Sequence, residues 1–202
     1  VSSFPPVTYK SIMDFKSSKF GSNDDEVRFK ANEVHTFTET VFIPRDKHLI
    51  IEEGVRISLG NGARFVCYGP VEMLGVKANP IRINGIGAKG GGLVLFPNRD
   101  SVQMNHVICT NLTDANTKTW ILTGGVTIYE GQVSLKNCSF INARSEDALN
   151  LIRCNFEIDG ILVDKTYSDG FDADFCKGTL RNSIFRATGN DCIDFSGSEI
   201  DI

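Results

Sequence analysis

The residues equipped for chemistry in this chain are acidic, and they recur at a fixed interval. Glu146-Asp147-Ala148-Leu149-Asn150-Leu151, Ser168-Asp169-Gly170-Phe171-Asp172-Ala173 and Asn190-Asp191-Cys192-Ile193-Asp194-Phe195 align with 22 residues between successive blocks. The alignment makes two acidic rows: Asp147/Asp169/Asp191, and Asn150/Asp172/Asp194. Two bare carboxylates one strand spacing apart, roughly 4.8 Å, repel by roughly 3–4 kcal/mol at an effective dielectric near 20. Such rows therefore require relief, and three kinds are open to them. An Asp at a corner can accept hydrogen bonds from backbone N–H groups. Clustered Asp and Asn oxygens can bind a hard cation, which makes Ca²⁺ the cofactor to consider at Asp172, Asp174 and Asp194. One member can hold a proton through a raised pKa, as acid/base catalysis requires. On that third reading the stacked carboxylates lie near the separations of glycosidase carboxylate pairs.

The elements that must position these rows follow from the same blocks. Leu149 and Leu151, Phe171 and Ala173, and Ile193 and Phe195 alternate with polar residues, the period of a strand with one buried face. A shorter strand precedes each block, at Cys138–Ile141, Ile161–Val163 and Ile184–Phe185, with polar corners between. A period in the range of 20–50 residues marks a solenoid, in which each unit buries its apolar face on its neighbours. The expected fold is all-β: a right-handed parallel β-helix with coils of about 22 residues. Leu149/Phe171/Ile193 then become an interior stack, and Asn150/Asp172/Asp194 an outward row. Asp147/Asp169/Asp191 fall at the corners as a structural ladder.

The remainder of the chain agrees with a single solenoid. Residues 1–40 read as a lead-in or cap with short strands, and 41–202 as the β-helix. The last segment, Glu199-Ile200-Asp201-Ile202, reads as a strand cut short, so that end is expected to continue in a longer parent chain or to associate end to end. Short apolar runs such as Val41–Ile43, Leu49–Ile51, Phe65–Tyr68 and Val71–Leu74 supply earlier strands. Residues 111–119 are polar and interrupt the period, which predicts an enlarged coil carrying a loop. Ala88-Lys89-Gly90-Gly91-Gly92 lacks the Lys-Ser/Thr and following helix of a phosphate loop. The six cysteines show no zinc spacing; Cys154 and Cys176, one period apart, are expected to stack as small buried residues. Net charge of −4 and a pI near 5.4 give no footprint for nucleic acid, and no apolar run is long enough for a membrane span.

Resemblances enter at this point. Ser168-Asp169-Gly170-Phe171-Asp172, then Gly189-Asn190-Asp191-Cys192-Ile193, resembles the polygalacturonase family of β-helical glycosidases. That resemblance implies catalytic roles for Asp169 and Asp191. It also places Asn190 at the general-acid position, where an amide has no proton to give. From about residue 40 to 202 the chain is similar to bacterial right-handed β-helix repeat proteins of the pectate-lyase-like superfamily, including β-helical regions found with CotH-type proteins. This similarity implies an extracellular or cell-surface setting.

Two functions are expected. One is a scaffold or binding module that recognises a polysaccharide or a protein partner along the acidic outer face, with Asn150, Asp172, Asp194, Lys165 and Arg186 as contacts. The other is a carbohydrate-active enzyme. It would be a hydrolase using Asp169 and Asp191, or a Ca²⁺-dependent lyase or epimerase with a Lys or Arg base.

Overall fold

The computed structural model describes residues 25–114 and 121–202. Most of the expected lead-in, and most of the polar interruption before Trp120, lie outside the described residues. The described chain forms a parallel β-solenoid of about seven turns with coils of about 23 residues.

Each full coil contributes three strands, one to each of three all-parallel sheets. The first sheet stacks β1 (Glu26–Phe29), β4 (His48–Glu52), β7 (Val71–Leu74), β10 (Ser101–Asn105), β13 (Gln132–Lys136), β16 (Asn155–Asp159), β19 (Lys177–Arg181) and β22 (Glu199–Asp201). The second stacks β2 (Val34–Phe37), β5 (Arg56–Gly60), β8 (Ile81–Ile86), β11 (Val107–Thr110), β14 (Ser139–Ile141), β17 (Leu162–Asp164) and β20 (Ile184–Arg186). The third carries the acidic blocks, as β3 (Val41–Ile43), β6 (Arg64–Cys67), β9 (Gly92–Leu95), β12 (Gly124–Tyr129), β15 (Asp147–Ile152), β18 (Asp169–Asp174) and β21 (Ile193–Ser196). Strands β1 and β2 already stack on β4 and β5, so the coil runs back into the segment expected as a lead-in.

Two strands per coil were expected where three occur. Strands β16 and β19 fall in the stretches between the expected strands, to which the sequence assigns no strand. Burial alternates along β16 but not β19, and only Phe156, Ile158 and Leu180 are large buried apolar side chains, among Asn155, Glu157, Asp159, Lys177 and Arg181. A strand with so few apolar residues is indistinguishable from a turn in isolation. It is held here because its backbone pairs with the coils on either side.

The interior is one continuous apolar column. Leu149 pairs with Phe171 and Phe171 with Ile193; Leu151, Ala173 and Phe195 form the next row. Phe171 is fully buried and meets Phe156 and Phe195 edge to face, at 5.7 and 5.6 Å between ring centroids. Burial of each such side chain stabilises the coil by about 1.5–3 kcal/mol.

Stacked polar side chains tie the corners together. The Cys154 and Cys176 thiols and the Ser198 hydroxyl, one coil apart, donate to carbonyls of Ile152, Asp174 and Ser196 respectively. In return the Cys154 N–H donates to the Cys176 sulfur and the Cys176 N–H to Ser198 Oγ. The expected stack of buried cysteines is present, with the thiols reduced and serving the backbone. Asn111 Nδ2 donates to Asn84 Oδ1 at 2.7 Å, and Asn142 continues that ladder onto Asn111. Gly189 is required at its corner because a Cβ there would overlap the Tyr167 carbonyl oxygen.

Candidate functional site: the outer face of the third sheet

Two rows of side chains point outward from the third sheet. The first runs Phe42, Val66, Val94, Thr127, Asn150, Asp172, Asp194 through the paired register. In the second, Tyr129, Ile152, Asp174 and Ser196 pair in turn. The face is apolar toward the early coils and acidic toward the late ones. Val66, Val94 and Phe96 form a second apolar cluster, against which Phe42, Tyr68, Leu122 and Tyr129 pack. Tyr68 stacks on Phe96 with ring centroids 5.3 Å apart.

The outer face is therefore not uniformly open, as the sequence led us to expect. Leu122 lies on the apolar cluster, and the adjacent Thr123 reaches the start of β15, where its carbonyl accepts the Asp147 N–H. Asn150, expected to face solvent, is 1% exposed. Its direction is outward, but Thr123, just before β12, lies against it. What stays accessible is the later part: Asp172 and Asp174 are half-buried, and Asp194 and Ser196 are exposed.

Asn150 sits among the carboxylates. Its Nδ2 lies 3.1 Å from Asp147 Oδ2, 2.8 Å from Asp172 Oδ2 and 3.3 Å from Thr123 Oγ1. Its Oδ1 is buried and has no hydrogen-bond partner among the described residues. Burial pushes the Asp147 carboxyl up from the usual range, against the hydrogen bonds from Thr123 and Asn150. Asp172 is pushed up to about 7, first by burial and then by Asp174, Asp147 and Asp194 around it.

The Asp147/Asp169/Asp191 row is not a set of equals. Asp169 holds a corner: its Oδ1 accepts the Asp191 N–H and the Asn190 amide, both at 2.9 Å. Asp191 is exposed at the next corner, while Asp147 is buried against Asn150. Hydroxyls of Ser145 and Thr166 brace the same corners by donating to the Asp147 and Ser168 carbonyls. Lys165 and Arg186 lie elsewhere: Lys165 is in the corner after β17, and Arg186 ends β20, its guanidinium paired with Asp164 at 3.0 Å. Neither forms an ion pair with the outer-face carboxylates among the described residues.

The acidic groups are distributed rather than convergent. Among the described residues, no three His, Cys, Asp or Glu side chains are grouped to hold a metal ion, Asp172, Asp174 and Asp194 included. Among the same residues no helix is long and apolar enough to cross a membrane. The buried amide that organises the site, and the proton-holding position of Asp172, escaped the sequence reading. The one signal for them was that Asn replaces Asp in the first coil of the row.

The chain matches no known family model and no curated protein. The parallel β-helix stands on the strand topology alone.

Proposed function

We propose that this chain is a β-helical binding module that takes a polysaccharide on the open acidic part of the third sheet, at Asp172, Asp174 and Asp194. The observation that carries this reading is the contrast between the two parts of one outer face. The apolar part is packed under Leu122, whereas the carboxylates beside it remain accessible and without an ion pair among the described residues. An extended parallel sheet repeats its side chains at every strand spacing, which suits a ligand that is itself a repeating polymer. The resemblance to the pectate-lyase-like superfamily agrees with this setting, and with an extracellular or cell-surface location.

A second reading is a glycan hydrolase, and one observation favours it. A carboxyl pushed up to about 7 holds a proton near neutrality, so Asp172, instead of Asp169 or Asp191, would be its acid.

A polysaccharide panel separates the two, scored for both retention in affinity electrophoresis and release of reducing ends. Retention without cleavage, lost in Asp194→Ala at unchanged melting temperature, supports the binding module. Cleavage that disappears in Asp172→Asn moves the assignment to the hydrolase. Retention unaffected by Asp194→Ala removes this face as the site.

A further inference from the structure

Stacked charges on the first sheet, and at the late end of the second, meet an opposite charge on the neighbouring coil. Lys136 is in register with Asp159 and Asp159 with Arg181; Lys177 is in register with Glu199, and Asp164 with Arg186. The last two close as ion pairs, each at 3.0 Å. The early coils of the second sheet depart from this rule. Arg56 on β5 is in register with Arg82 on β8, and both are exposed on the outer face. Among the described residues they are the one in-register pair of cations, and neither guanidinium has an ion pair or a side-chain hydrogen bond. Like charges set roughly 4.8 Å apart destabilise the pairing. Their own sheet supplies no anion to offset them. The one carboxylate in its seven strands is Asp164 on β17, already committed to Arg186.

A second feature of the same two strands points to an acceptor. A directed amide ladder runs toward them from the later coils. Asn142 Nδ2 donates to Asn111 Oδ1, and Asn111 Nδ2 donates to Asn84 Oδ1 at 2.7 Å. The Thr110 hydroxyl donates to that same Asn84 oxygen, also at 2.7 Å. Two donors on the oxygen fix the orientation of the Asn84 amide and polarise it, so its Nδ2 is the strengthened donor at which the ladder ends. In register beyond Asn84 stands Ser58. Neither the Ser58 hydroxyl nor Asn84 Nδ2 makes a hydrogen bond among the described residues. Both side chains are half-buried, on the same face as the arginines, each two residues along its strand from Arg56 or Arg82.

We propose that the outer face of β5 and β8 is an oxyanion site for a phosphate or sulfate group. Arg56 and Arg82 hold the group with their guanidinium forks, and Asn84 Nδ2 and the Ser58 hydroxyl complete its shell. Two positive charges, with donors on two strands, match a tetrahedral group that carries charge near −2 and oxygens on every side. A carboxylate brings one charge and two oxygens in a single plane. The site lies on a different sheet from the polysaccharide face and stands or falls without it.

Titration of the full chain at neutral pH and constant ionic strength tests this, followed by the NMR signals of the arginine Nε–H and asparagine side-chain amide groups. The probes are inorganic phosphate, inorganic sulfate, acetate, chloride, and sulfated dextran oligomers beside plain dextran. Phosphate and sulfate should shift the Arg56, Arg82 and Asn84 signals saturably, at least tenfold more tightly than acetate. The double variant Arg56→Lys/Arg82→Lys keeps both charges and loses the forks. Followed at the Asn84 amide, it should bind at least tenfold more weakly at an unchanged melting temperature. Sulfated dextran bound at least tenfold tighter than inorganic sulfate, with plain dextran silent, places the group on a glycan; equal affinity places it on a small ligand. Equal shifts from acetate or chloride, undiminished binding by the lysine variant, or no saturation leaves only a diffuse positive field and overturns the site.

Discussion

Asn150 decides the character of the acidic rows. A carboxylate there would lie buried between Asp147 and Asp172; the amide instead donates to both. Relief is incomplete, and Asp172 retains a proton to about pH 7, with Asp147 on β15, Asp174 on its own strand and Asp194 on β21 around it. The folded state thus binds this proton more tightly than the unfolded chain, where an Asp titrates near 3.9. Its contribution is fully present below about pH 4 and is lost as pH rises through about 7. Asp172→Asn removes that loss. The variant should melt about 2–4 °C above the parent at pH 8, for a gain of roughly 1 kcal/mol after screening of a half-exposed group. The advantage should vanish near pH 4, and an equal gain at both pH values would show that Asp172 carries no proton. Thermal melts followed by far-UV circular dichroism measure it.

At the scale of the elements, corners matter as much as strands. Asp169 accepts a backbone N–H and a side-chain amide from the next coil, so it joins β18 to the turn leading into β21. Asp169→Ala should therefore cost about 1–2 kcal/mol in a urea melt, by leaving those donors to solvent. Asp194→Ala, one coil on and exposed, should cost less than about 0.5 kcal/mol. If both variants lose equally, the division between corner and open face is wrong. Strands β16 and β19 show the converse: poor in apolar residues, they are held by parallel pairing on both edges.

For the molecule as a whole, stacking turns local side chains into columns, and the thiols report on the column. Five of the six cysteines are buried and only Cys192 is exposed. Burial pushes the Cys67 thiol up to about 12 and Cys138 to about 11, which keeps both protonated and inert near neutrality. A disulfide-exchange reagent should count one reactive thiol in the native protein and six in denaturant. Three or more reacting natively would mean that the coils open well below the unfolding transition. Cys154 and Cys176 should be among the last, because their sulfurs bond to carbonyls of their own and the preceding strand.

The sequence by itself determined the period, and with it the solenoid, the interior rows Leu149/Phe171/Ile193 and Leu151/Ala173/Phe195, and the outward direction of Asn150, Asp172 and Asp194. These follow from alternation and repetition, which are properties of the chain read along its length. Only the tertiary structure decided that each coil has three sides, since the third strand owes its order to pairing with other coils. It alone placed Leu122 and Thr123 over part of the outer face, burying Asn150 and leaving Asp172, Asp174 and Asp194 open. It also divided Asp147, Asp169 and Asp191, identical in sequence phase, into a buried carboxyl, a corner acceptor and an exposed one. Burial and charge proximity arise between coils, and an aligned row of like residues carries no record of which member is covered.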